Sequence, residues 1–446
     1  MNRRQLLRAS VAVSTATILP LVAAAEPTPA PAPADVQFGP SYVRDLARSL
    51  ASKAFEPPDE KLPDALKDLN YDQYRSIRFL PEHALWRGEK LPFEAQFFHR
   101  GFFYKNRVDL YEVTNGRAVP IRYRRDDFSF GQGIPQWPDV DLGFAGFRIH
   151  APISTPDYYD EVCVFLGASY FRAVAKGETY GLSTRGLSID TGETKGEEFP
   201  LFKAFWLKKP APNATSIVVH ALLDSKSAAA SYRFTIRPGE TTVFDVEMSL
   251  YPRVDLEHSG LAPMTSMFFF GPNDRKDFDD FRPAVHDSDG LSIYNGKGEQ
   301  LWRPLNNPRD LQVSTFADLN PRGFGLMQRE RRTSLLTMIS NRGSNVAQAC
   351  GSSRSAIGAR DPSFCSRSRR KRKSTTTSQL FGGPSSRSRP RTSITSPTGF
   401  TGGRMRRNQT LWPGSRGLES AAAATTASCS CWSCSATSSR AWIPRA

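Results

Sequence analysis

Asp287 and Asp289 stand two residues apart in VHDSDG, a spacing that puts both carboxylates on one side of an extended strand. Carboxylates that meet across a glycosidic bond serve as its acid and base. The same D-S-D-G also reads as an ordinary turn, whereas a calcium loop is excluded because neither a ladder of ligands nor a terminal Glu follows. Elsewhere the chain offers groups that suit a sugar, with rings for pyranose C–H faces and forked polar groups for hydroxyls. The candidates are Tyr170 and Arg172 in FLGASYFRA, Trp206 in AFWLKKP, Asp224 in ALLDS, and Trp302 with Arg303 in LWRPLNNP. Each carries a plainer alternative, since aromatic residues at strand spacing commonly pack a core. Residues 36–330 contain no H-E-x-x-H, G-x-S-x-G or phosphate loop, so no cofactor and no metal is implied.

The elements that would position these groups are strands. SIVVHALLD, SYRFTI and TVFDVEMSLY are rich in β-branched and aromatic residues, and Arg237-Pro238-Gly239-Glu240 joins the last two. Asn115-Gly116 and Asn295-Gly296 mark two further hairpins. One short helix is expected after Ser41 as cap, with Val43, Leu46 and Leu50 on its buried side. Strand-helix alternation is missing. The fold class is therefore all-β, a large antiparallel β-sandwich. Cys163, in EVCVFLG, reads as a buried apolar strand residue.

Composition divides the 446 residues at one point. From Arg331 onward there are 20 basic residues and only two acidic ones, Asp361 and Glu419, which leaves 39 basic and 42 acidic before it. The tail alone thus carries +18, whereas the preceding part sums to −3. All 13 Tyr and all six His precede Arg331, and five of the six Cys follow it. The chain opens MNRRQLLRASVAVSTATILPLVAAAE, with Arg3-Arg4 before a broken apolar run and Ala23-Ala24-Ala25 as a cleavage site. Residues 1–25 therefore read as a twin-arginine signal peptide and 26–35 as a stiff Pro/Ala linker. The expected compartment is the periplasm. No disulfide framework is available to residues 36–330, which hold a lone cysteine. Cys429, Cys431 and Cys434 lack the partner that a metal site needs.

Several strings, in order, resemble the periplasmic glucan biosynthesis family (MdoG/OpgG/OpgD): DLGFAGFRIH (141–150), FLGASYFRA (165–173), YGLSTRGLSIDT (180–191), APMTSMFFFG (262–271), HDSDGL (286–291) and RPLNNP (303–308). The leader resembles the OpgD branch. The resemblance runs from about residue 36 to Glu330. It implies a galactose-mutarotase-like sandwich followed by an immunoglobulin-like domain, with osmoregulated periplasmic glucans of β-1,2-linked backbone as ligand. It implies inverting endo-β-1,2-glucanase activity, with Asp287 as the base and a second Asp, in a later D-N-I string, as the acid. No D-N-I occurs in this chain. The other implied role is that of a non-catalytic glucan-binding scaffold working with glucan-synthesis machinery at the inner membrane.

The family's missing strings are legible in the tail by another route. R-P-S-L-W-V-E-P written as codons and read one base late gives AQACGSSR, residues 347–354. E-I-H-D-N-I-A-A-F-W-R-P treated likewise gives KSTTTSQLFGG, residues 373–383, with the codon of the acidic Asp straddling Thr375 and Thr376. The expectation is that residues 36–330 form an incomplete glucan-binding sandwich domain, and that 331–446 are a frameshifted, disordered basic tail. The immunoglobulin-like domain would then not be encoded in this frame. The competing reading, an Arg/Ser-rich arm that binds polyanions, is disfavoured because aromatic residues are not interleaved with the basic ones as stacking platforms. No nucleic-acid partner is expected.

Overall fold

The computed structural model describes residues 36–329 except 179, 181 and 319, together with the backbone of 374–378 and 394–398. The proposed signal peptide and linker, and most of the tail, lie outside the described residues. Two large sheets dominate. Numbering strands in chain order, sheet one runs β1 (Val36–Gln37), β5 (Arg117–Pro120), β4 (Asp109–Thr114), β12 (Leu201–Lys208), β13 (Ile217–Asp224), β14 (Ala228–Arg237), β15 (Val243–Pro252) and β23 (Ile394–Thr398). Sheet two runs β18 (Val285–His286), β17 (Met264–Phe270), β10 (Ser183–Arg185), β9 (Tyr170–Ala173), β8 (Tyr158–Leu166), β7 (Gly146–Thr155) and β3 (Glu94–Phe98). The backbone of β22 (Ser374–Ser378) also pairs with β17. Among the described residues there are also three small sheets: β2 (Arg78–Phe79) with β6 (Phe128–Ser129), β11 (Leu187–Ile189) with β16 (Ser259–Leu261), and β19 (Gly290–Tyr294) between β20 (Gln300–Pro304) and β21 (Gly323–Met327).

The all-β class holds. Among the described residues the single departure from an antiparallel design is β4, which pairs parallel to β12, Asp109 opposite Ala204. Alternation sends Phe147, Phe165 and Phe171 from sheet two into the layer between the sheets, where they meet Phe202, Phe205, Phe234 and Phe244 of sheet one. Cys163 is buried in this layer as expected. Gly146 allows β7 to approach β8, since a Cβ there would stand 2.1 Å from the Phe165 carbonyl oxygen.

Both residues of the Asn115-Gly116 turn take positive φ, 50° and 72°, as a two-residue hairpin between β4 and β5 demands. The second expected hairpin, β19 to β20, is longer than Asn295-Gly296 alone: Asn295 N–H donates to the Glu299 carbonyl, and Gly298 is the residue at positive φ. Helix α1 (Tyr42–Ala51) packs Val43 and Ala47 on the outer side of sheet one, with Leu46 and Leu50 half-buried beside them. The Ser41 side chain makes no capping bond. Two short helices follow, α2 (Asp64–Lys67) and α3 (Tyr71–Ser76), the latter opened by an Asn70–Gln73 capping box.

Candidate functional site

The HDSD string lies at the junction of sheet two and the three-stranded sheet. In β17, Met264, Ser266, Phe268 and Phe270 fall on one side and Thr265, Met267 and Phe269 on the other. His286, paired with Phe268, lies flat on that ring at 5.3 Å with 4° between the planes. The next residue, Asp287, is clasped to β17 at both ends: its N–H donates to the Met267 carbonyl (2.8 Å), and its Oδ2 accepts from the Met267 N–H (2.9 Å). Buried Ser288 exchanges a 2.6 Å hydroxyl hydrogen bond with Ser266. Asp289 turns to the other sheet, donating its N–H to Met327 and accepting on Oδ2 from the Arg329 N–H at 2.7 Å.

Residues 287–289 therefore link β18 to β19 and are not themselves strand, so the pattern that would align two carboxylates on one side does not apply. Asp287 is fixed on the backbone of β17. Asp289 lines a cavity of about 380 Å³ together with Phe268, Asp274, Trp302, Arg303 and Arg329. Trp302 is 41% exposed, and the Arg329 guanidinium lies 5.8 Å over its ring. His286 Nε2 is 3.4 Å from Asp289 Oδ1. Burial pulls the His286 imidazole below its ordinary range, against the opposing pull of Asp289, Asp287 and Asp274. An indole face, two guanidinium groups and two carboxylates can together hold a pyranose through stacking and paired hydroxyl bonds.

The other candidates divide. Strand register places Tyr170 opposite Arg185, Arg172 opposite Val164 and Val164 opposite Arg148, and it places Ser183 opposite Thr265. Tyr170, Arg172, Thr265 and Met267 thus share the outer side of sheet two, the side away from the phenylalanine layer. The Arg185 guanidinium lies 5.5 Å over the Tyr170 ring. Trp206 and Asp224 are elsewhere. Trp206 is 2% exposed beneath α1, stacked on Tyr111 at 5.3 Å and 9°. Asp224, 3% exposed, is paired with Arg253 at 2.9 Å and Lys203 at 3.1 Å. Arg253 also donates to the carbonyls of Leu50 and Lys53, tying α1 to the sheet. For these two residues the geometry favours the packing alternative over a binding role.

Asp274 and Arg329 line the cavity and His286 stands 3.4 Å from Asp289, none of the three having been singled out in the sequence. His286 sat inside the H-D-S-D string, and its neighbours Asp287 and Asp289 were the available pointer to it. Among the described residues no group of three or more His, Cys, Asp or Glu could hold a metal ion.

A family model described as "Periplasmic glucan biosynthesis protein, MdoG" matches residues 38–336. Over 331 residues the chain is 79% identical to a protein named "Glucans biosynthesis protein G" from Bradyrhizobium diazoefficiens, a match covering 74% of this chain and 65% of the relative. A protein of the same name from Rhodopseudomonas palustris strain BisA53 is 71% identical over 332 residues, covering 74% and 65%. Another from Vibrio cholerae is 53% identical over 287 residues, covering 64% and 53%. The chain thus spans about 65% of the length of the first two relatives.

Proposed function

From the premise that this chain belongs to the periplasmic glucan biosynthesis family MdoG, we propose that it binds a β-1,2-linked glucan at the junction formed by β17, β18 and the three-stranded sheet. The family's description, periplasmic glucan biosynthesis, supports glucan biosynthesis as the process and the periplasm as the compartment. The observation that carries the finer reading is the convergence of Asp289, Trp302 and Arg303 on one cavity, with Asp287 two residues before Asp289 and its carboxylate accepting from a backbone N–H.

The chemistry proposed for the intact architecture is hydrolysis with inversion. A carboxylate base activates a water molecule on one side of the sugar while a protonated carboxyl on the other donates to the leaving oxygen. Asp287 is the base in this scheme. Its Oδ2 accepts from the Met267 N–H, which fixes the direction in which the carboxylate points. The acid would come from the family string that is absent from this frame, so the chain in hand binds glucan and does not cleave it. The matched region ends at residue 336, close to the change in composition at Arg331, which supports the frameshift reading.

A second reading is favoured by the names of the relatives, which state biosynthesis and not hydrolysis. On that reading the protein is a scaffold that presents glucan to synthesis machinery at the inner membrane. Incubating this chain and a frame-restored version with linear β-1,2-glucan separates the two. Shortened oligosaccharides from the restored protein alone support hydrolysis, and retained binding without cleavage by either supports the scaffold. Absence of binding by both overturns the reading as a whole.

A further inference from the structure

A cavity of about 960 Å³ opens on the outer side of sheet one, at the first turn of α1. Strand register builds its floor. His220 stands opposite Trp206 and Arg233, Arg233 opposite Glu247, and Ser231 opposite Leu222, so all of them face the side that α1 covers, away from sheet two. Four cations and two carboxylates line the space. Glu89 is paired with Lys209 at 2.6 Å, and Glu247 with Arg233 at 2.6 Å. Arg44 and Lys208, both exposed, have no ion-pair partner among the described residues, which leaves two positive charges in surplus.

The helix adds to that sign. Val43 and Arg44, the second and third residues of α1, both line the cavity. An α-helix leaves the N–H groups of its first turn without partners, and the Ser41 side chain, placed to cap them, makes no such bond. The positive end of the helix dipole thus stands at the same space. Ser231 points independently to a guest. It is 4% exposed and lines the floor, yet its hydroxyl has no partner among the described residues, and a buried hydroxyl is unfavourable until something bonds it. Burial, then the cations Arg233 and Lys208, hold the His220 imidazole down at about 4, so near neutrality it offers one N–H without adding charge. Phe38, whose ring meets His220 edge-on at 5.2 Å, gives the cavity an apolar wall.

We propose that this cavity binds the phosphate group of a phosphate ester, shared by Arg44 and Lys208, with Ser231 and the free N–H groups of α1 donating to its oxygens. Phosphate is the chemistry that surplus guanidinium and ammonium groups, a buried hydroxyl and an uncapped helix end recognise together. Phe38 would lie against the organic part of the ester. The proposal goes beyond the glucan reading and does not depend on it, because the Trp302 cavity is built on β17 of sheet two and this one on the far side of sheet one. A soluble ester and a lipid headgroup present the same group, and the experiment separates them.

The test is calorimetric titration of the full chain with inorganic phosphate, alongside Lys208→Ala, Arg44→Glu and Trp302→Ala variants at one fixed salt concentration. Both cations are exposed, and a glutamate suits the first turn of a helix, so the two substitutions leave the fold intact. The tail of +18 attracts anions by itself, which makes the difference between variants the quantity to read. Lys208→Ala and Arg44→Glu are each expected to weaken phosphate binding about tenfold, and Trp302→Ala to leave it unchanged. Co-sedimentation with vesicles of phosphatidylglycerol in phosphatidylcholine identifies the source. Vesicle binding that falls in the same two variants assigns the phosphate to a headgroup, and vesicle binding that does not fall assigns it to a soluble ester. Phosphate affinity that is equal in the unaltered chain and both cation variants, or no phosphate binding by the unaltered chain, overturns the site.

Discussion

Asp287 is held on the Met267 backbone, its Oδ2 accepting from the Met267 N–H, and this sets what each substitution should do. In a frame-restored protein, Asp287→Asn is expected to lower glucan cleavage about a thousandfold with binding retained, read as oligosaccharide release against titration. A different outcome follows at Arg253. Its replacement by Ala leaves the buried Asp224 with Lys203 alone and three carbonyls without a donor, so stability should fall by about 3 kcal/mol in urea denaturation. Burial holds His99 down at about 4, and His220 likewise, below the ordinary 6.5. Between those values the unfolded chain binds protons that the folded chain refuses. Stability is therefore full above about pH 6.5 and falls as pH drops toward 4, to be followed as urea midpoints across that range. Residue types pointed to Asp287, Asp289, Trp302 and Arg303 because carboxylates and an indole-guanidinium pair cluster in two short strings. They could not separate Trp206 from Trp302, since a tryptophan in a strand looks the same on either side of the sheet until the covering helix is known. Asp274 and Arg329 reach the cavity only through the pairing of distant segments.

Strands and hairpins were the legible elements. Period-two runs gave β13, β14 and β15, and Asn115-Gly116 gave the β4–β5 turn, because both signals are local. The interruption at residues 287–289 was hidden, since Asp287 and Asp289 keep strand spacing while their backbone bonds go to two different sheets. Gly146 shows what a strand position can require. Alanine there would press a methyl onto the Phe165 carbonyl at a φ of 157°, and the variant should lose at least ~2 kcal/mol, visible as a lowered Tm. At the β15 edge the backbone of β23 brings Pro397 opposite Glu247, a residue type that only an edge position tolerates.

For the molecule as a whole, charge is the quantity that separates the parts. A body near neutrality is joined to a tail of +18, and on the frameshift reading proposed above that tail comes from GC-rich codons read out of phase. Determining the nucleotide sequence across codon 331 is expected to show an open alternative frame continuing the family. A protein made from the repaired gene should melt in one cooperative transition, above that of the present chain, because added strands would cover sheet edges. The sandwich was foreseeable from its strands and the two-part composition from simple counting. The parallel seam between β4 and β12 was not, because it joins segments between which the chain builds four of the eight strands of sheet two. That seam dictates an assembly order. Sheet one cannot close until the intervening strands have been laid down, so folding should be slow and late-committing, leaving a long interval in which unfinished chains are open to proteases.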